Sequence, residues 1–339
     1  MHYEFIMSSL VLIIIIVVLS WTYDFWNGAN DCANSIATTV STRALSFKRA
    51  IFLTGIFNLL GAFISTEVAK TIGEGIVSPE TVSLQLLIFA LVGAIIWIIL
   101  STKFGIPISV THSLIGGLVG AALVNSGPSV LIKSGLFKVF IGMIVAPILG
   151  FLLGIFLILG VSWFIKIFFS NLSSFKISQG LRFGQIFSAS AVALSHGMND
   201  TQNAMGIITA ALLTGGFLSE FKVPFWVIFG SGFFMALGTF FGGRKVIKTL
   251  GKKIYKIRPL HGFCAETASA VIVFFQSLSG VPLSTTQVIS SAVTGVGAIE
   301  RKAKVNWQIV IEILLAWVFT IPGSAIISAF LFFLFSGFI

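Results

Sequence analysis

Charge is what this sequence has least of. Only 9% of its 339 residues are Asp, Glu, Lys or Arg, against 56% hydrophobic, and the mean hydropathy is +1.05. A soluble domain of that composition has too little polar surface to stay wetted. Cysteine is nearly missing as well. Cys32 and Cys264 show no metal-ligand spacing, which argues against a disulfide framework or a zinc site and leaves packing as their role. No nucleophile is accompanied by a base and an orienting partner at a readable spacing, so no catalytic residue is assigned and an enzyme is not expected. The alternating ten-residue segments of a membrane barrel are missing too. The first twenty residues lack the basic start and the cleavage site of a signal peptide and carry Glu4; they read as a first membrane segment.

What is present is a series of long apolar runs: Ser8 to Trp26, Ile51 to Ile64, Leu84 to Leu100, Leu136 to Phe164, Val223 to Phe241 and Trp307 to Phe335. Runs of this kind suit about 30 Å of hydrocarbon at about 1.5 Å per helical residue, and continuous apolar segments satisfy their backbone in lipid only as helices. The expected fold is therefore an all-α polytopic membrane protein with about 10–12 membrane segments. The net charge of +10 comes from basic residues in short loops, where they orient the chain in the bilayer. Nucleic acid is not expected as a partner.

The chain repeats itself. Asn27-Gly28-Ala29-Asn30-Asp31-Cys32-Ala33-Asn34 returns as His196-Gly197-Met198-Asn199-Asp200-Thr201-Gln202-Asn203, at an offset of 169. Gly105-Ile106-Pro107-Ile108-Ser109-Val110-Thr111-His112 returns as Gly280-Val281-Pro282-Leu283-Ser284-Thr285-Thr286-Gln287, at an offset of 175. A weaker match pairs Lys70-Thr71-Ile72-Gly73 with Lys248-Thr249-Leu250-Gly251. Such self-similarity marks a duplicated unit: residues 1–165 with a signature at 27–34 and a hairpin at 105–124, a basic cytoplasmic linker at 166–182, and residues 183–339 with a signature at 196–203 and a hairpin at 281–299. Arg244 to Arg258 holds seven Lys or Arg and no acid, whereas its counterpart Glu67 to Glu80 holds three Glu and one Lys. Equivalent loops thus face opposite sides, so the repeats are expected to be inverted, with broken helices, paired hairpins and the N-terminus outside. Arg301, Lys302 and Lys304 lie inside if 281–299 crosses the membrane and outside if it re-enters.

Asp31 and Asp200 are costly in an apolar setting and occupy the same place in the two repeats. Gly28 and Gly197 are expected to break their helices and free carbonyl groups, with Asn27, Asn30 and Asn199 adding neutral oxygens. Oxygens of this kind suit hard cations such as Na⁺; the bland alternative is a pair of helix caps or interhelical hydrogen bonds. Pro107 and Pro282 suit the first turn of a helix. After them Ser109, Thr111, Ser284, Thr285 and Thr286 put hydroxyls beside free amides, which makes an anion site; a Pro kink is the plainer reading. Asn34, His112, Asn203 and Gln287 join the oxyanion candidates, His112 having packing as its alternative. An anion beside two carboxylates requires cations between them, so neither binds well alone, which is the logic of symport. Glu266, in an apolar helix, is a candidate for cation or proton coupling.

The segment at residues 28–34 resembles the GANDxAN signature of the inorganic phosphate transporter family, and 197–203 resembles its second copy. Pro107 to His112 and Pro282 to Gln287 are similar to that family's PxSxTH elements, Gln287 standing where the family usually has His. The resemblance implies an inverted-repeat fold, a homodimer in the cell membrane, and uptake of inorganic phosphate coupled to Na⁺ or H⁺ by alternating access, with no cofactor beyond the coupling ion. It carries cation-linked roles onto Asp31 and Asp200, and the family's acidic helix residue onto Glu266. The expectation is Na⁺/phosphate symport. Its alternatives are a proton-coupled carrier of metal-phosphate, sulfate or another tetrahedral oxyanion, and a passive anion channel.

Overall fold

The computed structural model describes residues 2–242, 244–300 and 305–338; Arg301, Lys302 and Lys304 lie outside them. Twelve α-helices follow one another among the described residues: α1 His2–Ser41, α2 Phe47–Gly61, α3 Glu67–Glu74, α4 Leu84–Phe104, α5 Val110–Ser126, α6 Lys133–Phe168, α7 Ser174–Thr214, α8 Phe225–Phe241, α9 Arg244–Lys248, α10 Pro259–Leu278, α11 Thr285–Glu300 and α12 Trp307–Phe335. The all-helical expectation holds. Among the described residues four helices are long and apolar enough to cross a membrane: Ser9–Ser41 within α1, α4, α6 and α12. α7 is longer than any of these but carries the polar residues of the second signature.

The surface is strongly apolar, and the interior buries polar and charged side chains among its apolar clusters, unlike a soluble protein. Phe156, Ile326 and Phe333 are 69%, 69% and 74% exposed, while Asp31, Asp200 and Glu266 are 2%, 1% and 0% exposed. Lipid-facing side chains gain nothing by turning inward, so the interior is left for close backbone packing and hydrogen bonds.

The two signatures do not break their helices: α1 and α7 run straight through them. Their glycines serve close approach instead. A Cβ on Gly28 would collide with the Met235 carbonyl oxygen of α8, and one on Gly197 with the Asn58 carbonyl oxygen of α2. The breaks come elsewhere. α4 ends at Gly105 (φ +73°) and α10 is followed by Gly280 (φ +67°), a left-handed conformation that glycine adopts without a Cβ penalty. The chain then turns back through Pro107 or Pro282 into α5 or α11. Each hairpin is therefore larger than the 105–124 and 281–299 segments, which supply its second arm; α4 and α10 supply the first. The prolines also sit before the helix rather than in its first turn, because Ser109 and Ser284 take the N-cap positions, accepting from the amides of His112 (3.2 Å) and Gln287 (3.3 Å). The basic linker is helical for most of its length, since α6 runs to Phe168 and α7 starts at Ser174.

Residues of the matching sequence stretches contact one another in crossed pairs. Thr71 of α3 donates to the Gly280 carbonyl (2.7 Å), and its counterpart Thr249 donates to the Gly105 carbonyl (3.1 Å). Gly61 meets the Leu194 carbonyl, and Gly238 meets the Phe25 carbonyl. α1 packs on α8 as α7 packs on α2, and α5 on α12 as α11 on α6.

Candidate functional site

The signature helices α1 and α7 pack against each other and bring their polar faces together at the level of Asp31 and Asp200. A carboxylate oxygen of each, with a ring nitrogen of His196, lies within 4.8 Å of the other two. His196 Nε2 is 3.6 Å from Asp200 Oδ2 and 3.9 Å from Asp31 Oδ2. Two ionised carboxylates this close repel by about 3.5 kcal/mol at an effective dielectric constant of about 20. Among the described residues no Lys or Arg forms an ion pair with either of them. The arrangement asks for a positive charge from outside the protein.

The N-terminal ends of α5 and α11 reach the same place. Asn34 of the first signature donates to Thr286 (2.9 Å) and Thr285 (3.2 Å) of the second hairpin. Asn203 of the second signature donates to Thr111 (2.9 Å) of the first hairpin. Thr286 also donates to Asp31 Oδ1 at 3.1 Å. Each signature is thus pinned to the hairpin of the other repeat, and hydroxyls at the two helix starts lie in the same polar cluster as the carboxylates. All these side chains are buried, so the site is shielded on every side in this conformation.

Several acceptors here have no hydrogen-bond partner: the Oδ1 atoms of Asn27, Asn30, Asn34 and Asn203, Gln287 Oε1 and the nitrogen lone pair available on His112 Nδ1 or His196 Nε2. Buried polar groups are rarely left so. Carboxylate and amide oxygens without donors are the ligand type that a hard cation uses, and the free amides at the starts of α5 and α11 are the donor type that an oxyanion uses. Asn27 turns its amide toward Asp200 without closing a hydrogen bond.

Not every expected residue contributes in the same way. Asn199 spends its amide hydrogens on Asp200 Oδ1 (2.8 Å) and the Leu283 carbonyl (2.9 Å), and its Oδ1 lies 3.2 Å from the Ser277 hydroxyl, which is closer to the Val273 carbonyl (2.7 Å). Asn199 positions Asp200 against the second hairpin. Asn30 donates to Thr102 (2.7 Å) on α4, keeping Oδ1 free. Ser109 and Ser284 spend their oxygens as helix caps. Glu266 stands apart from the aspartates in its own cluster, where Thr38 (2.5 Å), Thr39 (2.7 Å), Ser188 (2.5 Å) and Gln185 (3.1 Å) all donate to it. These four polar residues went unread in the sequence because single Ser, Thr and Gln residues carry no pattern. Asn58, which meets His196 at 3.1 Å, was missed for the same reason. Asp24 was the third Asp of the chain and had no counterpart in the second repeat to draw attention to it.

Comparison with known proteins bears on this geometry. Residues 27–328 match the model of the phosphate transporter family. A probable low-affinity inorganic phosphate transporter of Rhizobium meliloti (strain 1021) is 44% identical over 324 residues, covering 95% of this chain and 96% of the relative. One of Bacillus subtilis (strain 168), described in the same words, is 41% identical over 328 residues, with 96% and 97% covered. Among solved structures, one described as the sodium-dependent phosphate transporter superposes with a TM-score of 0.87 at 28% identity, covering 97% of this chain and 100% of that one.

Proposed function

Because this chain belongs to the phosphate transporter family and is a multi-pass membrane transporter rather than an enzyme, we propose that it imports inorganic phosphate by Na⁺ symport through alternating access. The observation that carries this reading is the pair of buried carboxylates, Asp31 and Asp200, facing each other with free amide oxygens around them and two helix N-termini beside them. Na⁺ between the carboxylates relieves their repulsion and makes the site hospitable to an anion; the anion in turn strengthens the hold on Na⁺. Two ligands that each bind poorly alone are coupled by that fact. Asp31, Asp200 and the Oδ1 atoms of Asn27 and Asn30 are assigned to Na⁺. Thr111, Thr285, Thr286, Asn34, Asn203, His112 and Gln287 are assigned to phosphate, with the Ser109 and Ser284 caps shaping the two helix starts. The sodium dependence named for the solved relative supports the choice of ion.

Crossed contacts support two repeats related by a two-fold axis, since a residue and its counterpart then exchange partners. The opposite charges of equivalent loops support placing that axis in the membrane plane, with the N-terminus outside. The hairpins α4–α5 and α10–α11 are the mobile elements in this reading, turning about Gly105 and Gly280, and two copies of the chain form a homodimer. Glu266, held by four neutral donors and, among the described residues, by no Lys or Arg, is assigned to the coupling of ion movement to this motion.

The deciding experiment is uptake of radiolabelled phosphate into proteoliposomes under an imposed Na⁺ gradient, an H⁺ gradient or neither. Uptake driven by Na⁺ and lost in both Asp31→Asn and Asp200→Asn is expected. Uptake driven only by H⁺ overturns the choice of ion, and gradient-independent flux that survives both substitutions overturns symport.

A further inference from the structure

Buried carboxylates recur at one-heptad intervals along a single face of α1. Asp24 and Asp31 belong to the helix itself, and Thr38, seven residues on, holds Glu266. Seven residues make almost two turns, so the three positions share a face at steps of about 10.5 Å. They differ in how they are satisfied. Glu266 receives four side-chain hydrogen bonds, and Asp31 receives one from Thr286. Asp24 is 0% exposed and neither carboxylate oxygen has a partner.

Its surroundings offer little. Ser231 faces it from α8, with its hydroxyl unpartnered, as is that of Ser20 one turn earlier on α1. α8 has no ionisable residue. α7 carries Lys176, Arg182, His196 and Asp200; the two basic residues lie well before the signature along the helix, while His196 and Asp200 sit with Asp31, one heptad from Asp24 on α1. The neighbouring Tyr23 spends its hydroxyl on the Val110 carbonyl of α5 (3.0 Å), where His112 is the ionisable residue. Lys48 and Arg49 of α2 and Lys103 of α4 are exposed at helix ends. Asp24 is therefore a buried carboxyl group with neither oxygen hydrogen-bonded, no counter-charge beside it among the described residues, and the Asp31–Asp200 pair one heptad away along α1. As an anion it costs several kcal/mol. A proton on one oxygen removes that cost and creates a donor for Ser231. A hard metal ion would need about six oxygens, and α1 here is unbroken helix whose carbonyls are engaged.

We propose that Asp24 is a proton-binding site linked to the central cation site. The link is the Asp31–Asp200 pair, about 10.5 Å along α1 from Asp24: its bare charge favours the proton on Asp24, and Na⁺ between the pair cancels that charge and loosens the proton. Linkage is reciprocal, so a proton on Asp24 in turn weakens Na⁺ binding. This rests on the Na⁺ reading above only for the identity of the linked ion.

Two readouts on purified protein test it. The infrared spectrum at neutral pH is expected to contain the carbonyl stretch of a protonated carboxylic acid that disappears in Asp24→Asn and moves in Asp24→Glu. A pH dye in weak buffer is expected to report protons released as Na⁺ is added, with about one fewer per chain in Asp24→Asn than in wild type. A band undiminished in Asp24→Asn overturns the proposal, as does equal release from both proteins. Should Asp24→Asn fail to fold, the band of Asp24→Glu decides: shifted, it supports the site; unmoved, it overturns it. Failure of Na⁺ to drive phosphate uptake in wild type would instead sink the Na⁺ reading and leave the infrared result standing.

Discussion

His196 Nδ1 lies 3.1 Å from Asn58 Oδ1, and the direction of that hydrogen bond is fixed from far away. The Met235 carbonyl can only accept, and Thr239 donates to it (3.0 Å); Asn58 Nδ2 then donates to Thr239 (3.1 Å). That leaves Asn58 Oδ1 as an acceptor, so the proton sits on Nδ1 of His196 and Nε2 turns a lone pair between Asp31 and Asp200. Freed to turn, the ring changes what it presents to the two carboxylates that hold Na⁺, so Asn58 acts on the cation site from behind although His196 is not itself assigned to the ion; support of that kind is worth about 10- to 100-fold in metal affinity.

Asn58→Leu removes the acceptor and frees the ring. Sodium affinity, read by titration calorimetry, is expected to fall by about 10- to 100-fold in a protein that still folds, and Asn58→Asp, which keeps an acceptor at that place, is expected to restore most of it.

Thr111→Val strands the buried amide donor of Asn203, and Thr286→Val removes one of the two acceptors of Asn34, leaving Thr285. A stability loss of about 1–3 kcal/mol is expected for each, together with weaker thermal stabilisation by added phosphate. Thr286→Val is expected to be the more damaging, because Thr286 also donates to Asp31.

Gly28→Ala and Gly197→Ala drive a methyl group into the backbone of α8 and α2. Overpacking against a carbonyl that cannot swing away is expected to cost about 1–3 kcal/mol or more, seen as a lower Tm and a smaller folded fraction by size-exclusion chromatography. Gly160→Ala, which meets nothing within 4 Å, is expected to leave Tm unchanged or raise it.

Glu266→Gln keeps the shape of the Thr38–Thr39–Ser188–Gln185 cluster and removes its charge. Phosphate exchange across the membrane at equal concentrations is expected to persist, while accumulation against a phosphate gradient is lost. Loss of both in a folded protein would place Glu266 in phosphate binding rather than coupling.

The inverted topology can be read by labelling, since Cys32 and Cys264 are buried and give a silent background. Glu80→Cys is expected to react with an impermeant maleimide from outside the cell, and Lys256→Cys only after permeabilisation. Labelling of both from the same side contradicts the inverted arrangement.

The all-helical membrane fold was legible in the sequence because it follows from solvent: continuous apolar runs with so few charges have no other way to satisfy their backbone in lipid. The paired signatures were legible because duplication leaves four matching motifs at nearly constant offsets, and costly residues such as Asp31 and Asp200 stand out among apolar neighbours. Tertiary structure decided the rest. Whether Gly28 bends α1 or admits α8 depends on what lies opposite it, and a glycine supplies either. That Asn34 meets Thr286 and Asn203 meets Thr111, rather than each its own repeat's hairpin, is a matter of how the repeats are exchanged, which no local pattern records. The same holds for Asn58 behind His196, the four donors around Glu266 and the buried Asp24 oxygens without a hydrogen-bond partner. Burial and hydrogen-bond partners belong to pairs of residues far apart in the chain, so they come into being only when the helices pack.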